Sequence, residues 1–494
     1  MPTRSDPVGN TGTPAPAGPP HGVAKPGVAL SAVAAVACAA QFMVVLDSSI
    51  VNVALPSMKS GLGLSTSAQQ WVVNGYLVAF GGLLLFASRA GDLFGRRRVF
   101  HTGLVVFSAA SLVGGLAQDG WVLLAARIVQ GAGAAALAPS SLSLITAGHT
   151  DPARRTRAMT WWGVAASSAG AAGIVAGGLL ASVSWRWVML VNVPIGVGLL
   201  IAGLLCLAPT ATGRRRSRID LPGAIAVTLS AAAVVYGVSA APEAGWAAAR
   251  VVGALVAGVV LLAVFVVVER RSDEPLIPPG VFSVANVRMG NVLTLCLGAV
   301  ITAPLFFLSL YLQQVLGQSA VRTGLSLLPM VAVVSLGVFV SQRLIPLFSA
   351  RRLVVVGGIV AAAGLAWLGR LPVHSAYVGH VLPPTVVVGA GTSLIMMPAI
   401  VAATSGIDPR DAGVASGLIN MCRQLGAALG LSALVTVATT VTRHSSGPGD
   451  AAVVHGYRVA FYALAALSLL GAALALLLKT AQDDEGRTRA PDAA

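Results

Sequence analysis

Charge is scarce in this chain. Asp, Glu, Lys and Arg make up 10% of its 494 residues and hydrophobic residues 56%, whereas soluble domains carry about 25% charge. That composition excludes an ordinary soluble globular fold. Lysine is scarcer still, with Lys25, Lys59 and Lys479 standing among 32 basic residues. Cys38, Cys206, Cys296 and Cys422 lie at wide, irregular spacing in or beside apolar segments, which does not match the paired spacing of metal sites and assigns them to packing. A Gly-x-x-x-x-Gly-Lys-Ser/Thr phosphate loop is missing, which argues against ATP as the driving force. There is no Ser-His-Asp or paired-carboxylate pattern, so an enzyme is not expected. His374, His380, His444 and His455 fall near outer loops at spacings unlike a metal site.

Apolar stretches of about 20 residues, enough to cross roughly 30 Å of hydrocarbon as helices, recur from residue 28 to residue 479. Fourteen spans are expected, beginning near 29, 69, 98, 121, 158, 186, 219, 249, 289, 323, 352, 381, 411 and 457. An even number puts both termini on one side. With the tails and even-numbered loops in the cytoplasm, 23 basic residues fall inside and seven outside, with Arg127 and Arg423 within spans. This asymmetry predicts cytoplasmic termini in a cytoplasmic (inner) membrane. The net charge of +15 is accounted for by that topology and by contact with anionic membrane lipid, not by a nucleic-acid partner.

An internal repeat appears at a separation of about 255 residues. Ser88 to Val99 aligns without gaps on Gln342 to Leu353 with five identities in twelve, and Gly131, Gly133, Pro139 and Asp151-Pro152 have counterparts in Gly389, Gly391, Pro398 and Asp408-Pro409. The expected division is a disordered cytoplasmic tail over 1–28, a six-helix half over 29–208, two inserted helices over 209–271, a second six-helix half over 272–479, and a cytoplasmic tail over 480–494. Paired halves of this kind place a substrate site between them near the midplane.

Asp47 lies inside the first apolar segment, in Leu46-Asp47-Ser48-Ser49-Ile50-Val51-Asn52-Val53-Ala54-Leu55-Pro56. A charge there costs roughly 2.5 to 3.5 kcal/mol on insertion scales, so intramembrane acids face a partner, a cavity or a substrate path. Arg127 is about six residues into the fourth span, and both residues fall roughly 13 Å below the same surface by helical rise. A close approach is therefore geometrically allowed. A neighbouring guanidinium favours a charged carboxylate and burial a neutral one, which makes Asp47 and Arg127 candidates for proton coupling.

Five stretches together resemble the fourteen-helix drug/proton antiporters of the major facilitator superfamily. They are the Asp47 run; Arg89-Ala-Gly-Asp92-Leu-Phe-Gly95-Arg96-Arg97; Leu123 to Ala135, containing Arg127, Gln130 and Gly131; Trp162 to Gly178, containing Gly173, Gly177 and Gly178; and a set comprising Ser184-Trp-Arg-Trp187 with Asn192-Val-Pro194, Tyr311 to Gly317, and Asp411 to Gly417 leading to Arg423. The chain departs from the pattern at Ser88, where the signature has Gly, and at Ile174, where it has Pro.

The resemblance implies an all-α polytopic protein of the major facilitator fold, with two six-helix halves plus two inserted helices. It would export small amphipathic drugs or antibiotics in exchange for protons, as a monomer and without cofactor or metal. Asp47 and Arg127 would couple protons. Arg89, Asp92, Gly95, Arg96 and Arg97 would form a conformational latch. Asn52, Gln130, Gly131, Gly173, Gly177, Gly178, Gln313 and Arg423 would shape the cavity and its gating helices, Arg423 also being suited to an anionic substrate or a phosphate headgroup. An uptake symporter or facilitator on the same fold, and a membrane sensor that transports nothing, are the rival readings.

Overall fold

The computed structural model describes residues 30–148, 151–207, 220–272, 275–277, 280–281, 284–374, 376–405, 407, 412–445 and 449–478. The two expected tails, the Arg214–Arg218 cluster, Asp408-Pro409 and Asp411 lie outside them. Helices run in the order α1 Leu30–Leu62, α2 Thr66–Phe94, α3 Arg96–Gly115, α4 Gly120–Gly148, α5 Pro152–Val183, α6 Trp185–Leu190, α7 Asn192–Cys206, α8 Leu221–Ala244 and α9 Ala249–Arg271. They continue as α10 Ala285–Leu310, α11 Ala320–Phe348, α12 Ala350–Leu368, α13 Leu382–Thr404, α14 Ala412–His444 and α15 Gly449–Ala475. Among the described residues, fourteen helical segments are long and apolar enough to cross a membrane, with α6 and α7 together forming the sixth.

Local chemistry explains the helix ends. Ser65, Asp151, Ser184, Asp220 and Ser319 each accept a hydrogen bond from a backbone N–H of the helix that follows, as small polar caps do. The sixth span is broken after Leu190 because Pro194 has no N–H to return to the Leu190 carbonyl and its ring crowds that group. Asn192 sits in the break. Pro56 acts similarly inside α1, leaving the Asn52 carbonyl without its helical donor.

The repeat is visible in the backbone. Gly95 turns the chain between α2 and α3 with φ 95°, and its counterpart Ser349 turns it between α11 and α12 with φ 58° and ψ 145°. Glycine adopts this region freely, whereas a side chain there is strained.

The two halves meet most closely at the end of the bundle where α1 ends and α11 begins. A Cβ on Gly178 of α5 would lie 2.7 Å from the Ala320 carbonyl oxygen of α11, so only glycine permits that approach, and Ser335 Oγ donates to the Ser167 carbonyl at 3.0 Å farther along the same pair. On α1, the Asn52 carbonyl freed by Pro56 accepts from Ser309 Oγ at 2.9 Å, and the Val53 carbonyl accepts from Gln313 Nε2 at 3.0 Å. Gln313 belongs to a π-helical turn, Tyr311–Val315, that extends α10. Toward the opposite end, where α1 begins and α15 ends, the first turns of α5 are exposed from Asp151 to Arg157. The contacts of α5 with α11 and of α1 with α10 seal the two halves together at the end where α1 ends.

The inserted pair packs outside the seam between α2 and α14. In α8, Ser239 Oγ and Ser432 Oγ share a hydrogen bond of 2.7 Å, and the Val235 and Val238 carbonyls accept from Ser432 and Thr436 of α14 at 3.1 and 2.8 Å. Helix α9 leaves Val256, Val259, Val260 and Leu262 exposed, a surface suited to lipid. Replacing the strained corner by Ser349→Gly is expected to stabilise the protein by about 1–3 kcal/mol, seen as a higher unfolding temperature in detergent, while Gly95→Ser lowers it.

Candidate functional site

Asp47 is fully buried and accepts three hydrogen bonds. Arg127 Nη1 donates to its Oδ2 at 2.6 Å, while Gln130 Nε2 and Asn192 Nδ2 donate to its Oδ1 at 2.7 and 2.8 Å. Arg127, 1% exposed, also donates from Nη1 to Gln130 Oε1 at 2.6 Å and from Nε to the Val72 carbonyl at 3.0 Å. Its guanidinium carbon stands 4.4 Å from the centre of the Tyr76 ring, close enough for cation–π attraction. Gln130 Nε2 reaches Ser111 Oγ at 2.7 Å as well. The network thus draws on α1, α2, α3, α4 and α7.

Both charges and most of their hydrogen-bonding capacity are matched, which is the condition for an ion pair to persist away from water. The donor set is that of a carboxylate. Oδ1 accepts two of the three bonds and Oδ2 one, so a proton on Oδ2 would remove the charge that strengthens the bond from Arg127. Neutralising Asp47 would leave the Arg127 guanidinium without its counter-charge in a network that joins α1, α4 and α7.

The structure brings Asp47, Arg127 and Gln130 together and distributes the other expected residues. Gln130 is fully buried inside the network, so it is a second partner of Asp47 and not a cavity-wall residue. Gly131 packs α4 on the Tyr76 backbone of α2, and Gly173 and Gly177 pack α5 on the Leu46 and Ile50 carbonyls of α1. Asn52 and Gln313 sit at the seal, so the Tyr311–Gly317 stretch closes onto α1 instead of lining open space. Arg423 stands apart, in α14. In the latch, Arg96 meets Asp92 at 3.4 Å and the Ser143 carbonyl of α4 at 3.4 Å, both within the first half. Arg89, Gly95 and Arg97 lie beside them at the α2–α3 corner.

Asn192, Ser111 and Tyr76 were not singled out as site residues. Asn192 carried one signal, a polar residue two positions before Pro194 in an apolar run. The other two carried none that separates them from ordinary helix-packing residues.

This chain belongs to the Major Facilitator Superfamily, whose profile matches residues 37–431. It is a membrane transporter and not an enzyme. It is 43% identical over 451 residues to the cephamycin export protein CmcT of Amycolatopsis lactamdurans, covering 89% of this chain and 92% of that protein. It is 41% identical over 466 residues to the puromycin resistance protein pur8 of Streptomyces alboniger, covering 92% and 91%. Its fold is that of a D-xylose-proton symporter, with a TM-score of 0.65 and 14% identity over 91% of this chain and 98% of that one.

Arg127→Met strands a buried carboxylate and is expected to cost about 3–5 kcal/mol, whereas adding Asp47→Asn to it recovers part of the loss; thermal unfolding of the three proteins in detergent reads the difference. Ser309→Ala deprives the Asn52 carbonyl of its donor, a penalty of about 1–3 kcal/mol that falls on the sealed arrangement. Labelling of a cysteine placed at Val53 should accelerate in that variant.

Proposed function

We propose that the chain exports amphipathic antibiotics across the cytoplasmic membrane in exchange for protons, by rocking its two six-helix halves about a central cavity. The observation that carries this reading is the buried Asp47 carboxylate paired at 2.6 Å with the buried Arg127, because protonation of the acid would leave that guanidinium uncompensated. The relatives named for cephamycin export and puromycin resistance support the direction and the class of substrate. The surplus of basic residues supports a cytoplasmic location for both termini.

In the proposed cycle, substrate enters from the cytoplasmic side while Asp47 is charged and bonded to Arg127, Gln130 and Asn192. The halves then rock, the seal between α1 and α10 opens, and substrate leaves as a proton from outside reaches Asp47. Protonation removes the charge that holds Arg127 to Asp47 and lets α1 shift. Because the Asn52 and Val53 carbonyls lie five and six residues beyond Asp47 on one helix, roughly 8 to 9 Å by helical rise, that shift is felt at the seal. Asp47 then loses its proton inward, and the network re-forms. The proton gradient supplies the energy and the scheme needs no cofactor. The protein acts as a monomer with lipid around its apolar surface, and the Asp92–Arg96 corner steadies one access state.

The decisive test uses everted membrane vesicles from a sensitive bacterium expressing the chain, supplied externally with labelled puromycin or a cephem, with and without a proton uncoupler. Asp47→Asn should abolish gradient-driven accumulation while sparing downhill exchange. Full gradient-driven transport by that variant would overturn the assignment. Movement of substrate in the same direction as the protons would instead favour the uptake reading that Ile174 leaves open, and absence of any flux would favour the sensor.

A further inference from the structure

Arg423 lies about eleven residues into α14, roughly 16 Å from its start by helical rise, and among the described residues no acid pairs with it. Among the described residues the ion pairs are Arg96–Asp92, Arg127–Asp47 and Arg154–Asp151. From residue 285 to residue 478 the acidic residues are Asp408, Asp411 and Asp450, which fall between helices or at a helix start. The guanidinium instead donates from Nη2 and Nε to one neutral oxygen, Asn420 Oδ1, at 2.6 and 3.2 Å. An uncompensated charge at this depth is costly, and such residues mark ligand paths.

The surroundings of α14 give the direction in which the pair faces. On one flank Gly426 and Gly430 lie against Leu295 and Ala299 of α10; on another Gly417 and Leu425 meet Leu85 and Gly81 of α2. Ser432 and Thr436 bond to α8 on the outer side. Between the α10 and α2 flanks runs a stripe at intervals of three and four residues, Gly413, Ser416, Asn420 and Arg423, which share one helix face. Exposure falls along it. Gly413 and Ser416 are exposed, Asn420 and Arg423 are partly buried, and Ala427 and Leu431, farther along, are fully buried. Asn420 and Arg423 therefore stand where this face of α14 passes from exposed to buried.

We propose that Asn420 and Arg423 form the recognition site for a carboxylate carried by the exported substrate, so that this transporter selects amphipathic organic anions. The inference rests on the exporter reading above and names the substrate class. A guanidinium offers a planar fork of N–H donors matched to a carboxylate. With Oδ1 engaged by Arg423, the Asn420 amide nitrogen still offers donors beside it. The first half supplies its buried arginine with a resident carboxylate, Asp47. The second half leaves that place to the cargo.

The test measures equilibrium binding to purified, detergent-solubilised full-length protein, using cephalothin, a cephem monocarboxylate, and its uncharged methyl ester. The unchanged protein should prefer the acid, and R423Q should weaken acid binding roughly tenfold to a hundredfold, as loss of a charge-assisted hydrogen bond does, while ester binding is unchanged. R423K, which keeps the charge and loses the fork, should fall between, and N420A should give a smaller loss of the same selectivity. Equal binding of acid and ester by the unchanged protein, or equal loss of both in R423Q, overturns the proposal. Repeating the measurement in nanodiscs separates a lipid source: competition by phosphatidylglycerol that disappears in R423Q would assign the site to a headgroup phosphate and overturn it. No gradient is present, so a failure of proton coupling in the vesicle experiment leaves this result intact, and the reverse also holds.

Discussion

Two opposite charges placed out of reach of water set the terms for the first half of this protein. Removing either ion from water is costly, and their attraction offsets that cost only when the remaining donors and acceptors are also matched. Asp47 and Arg127 meet this condition through Gln130, Asn192, the Val72 carbonyl and the Tyr76 ring. Helices in lipid gain little from burying apolar surface against one another, so their register depends on small-residue packing and polar contacts. The network supplies the polar part for five helices, and Gly131, next to Gln130, lets α4 close on α2.

The same helix that contributes Asp47 also contributes to the seal between halves. Proline at position 56 makes this possible, because the carbonyl it frees would be an unsatisfied group in α1 alone and becomes an acceptor for Ser309 of α10. A defect in one helix is thereby made good by the other half, and only while the two are together. Asp47 and the carbonyls at the seal are separated by about one and a half turns of continuous helix.

Much of this was readable in the chain because charge and proline stand out against an apolar background. Asp47 and Arg127 could be placed at one depth from span boundaries alone, and the number of spans followed from hydropathy. Boundaries were less legible where the cues are weak: the last helix begins at Gly449, eight residues before the expected 457, through a stretch containing His455 and Gly456 whose polarity hides helical structure. The role of Asn192 is not legible in its motif, since its contact with Asp47 spans 145 positions. Gln130 was visible as a polar residue in an apolar helix, but whether it faced a cavity or a charge depended on the rotation of α4, which Gly131 fixes through tertiary packing.

The attachment of α8 gives the insertion a mechanical allegiance. Its bonds to α14 are directional and several, through Ser239, Val235 and Val238, whereas its approach to α2 is a close packing of Gly82 on Thr228. Packed surfaces can slide; a ladder of hydrogen bonds away from water resists being parted. In the proposed rocking motion α8 and its neighbour α9 would therefore travel as passengers of the second half, with the slip plane along α2.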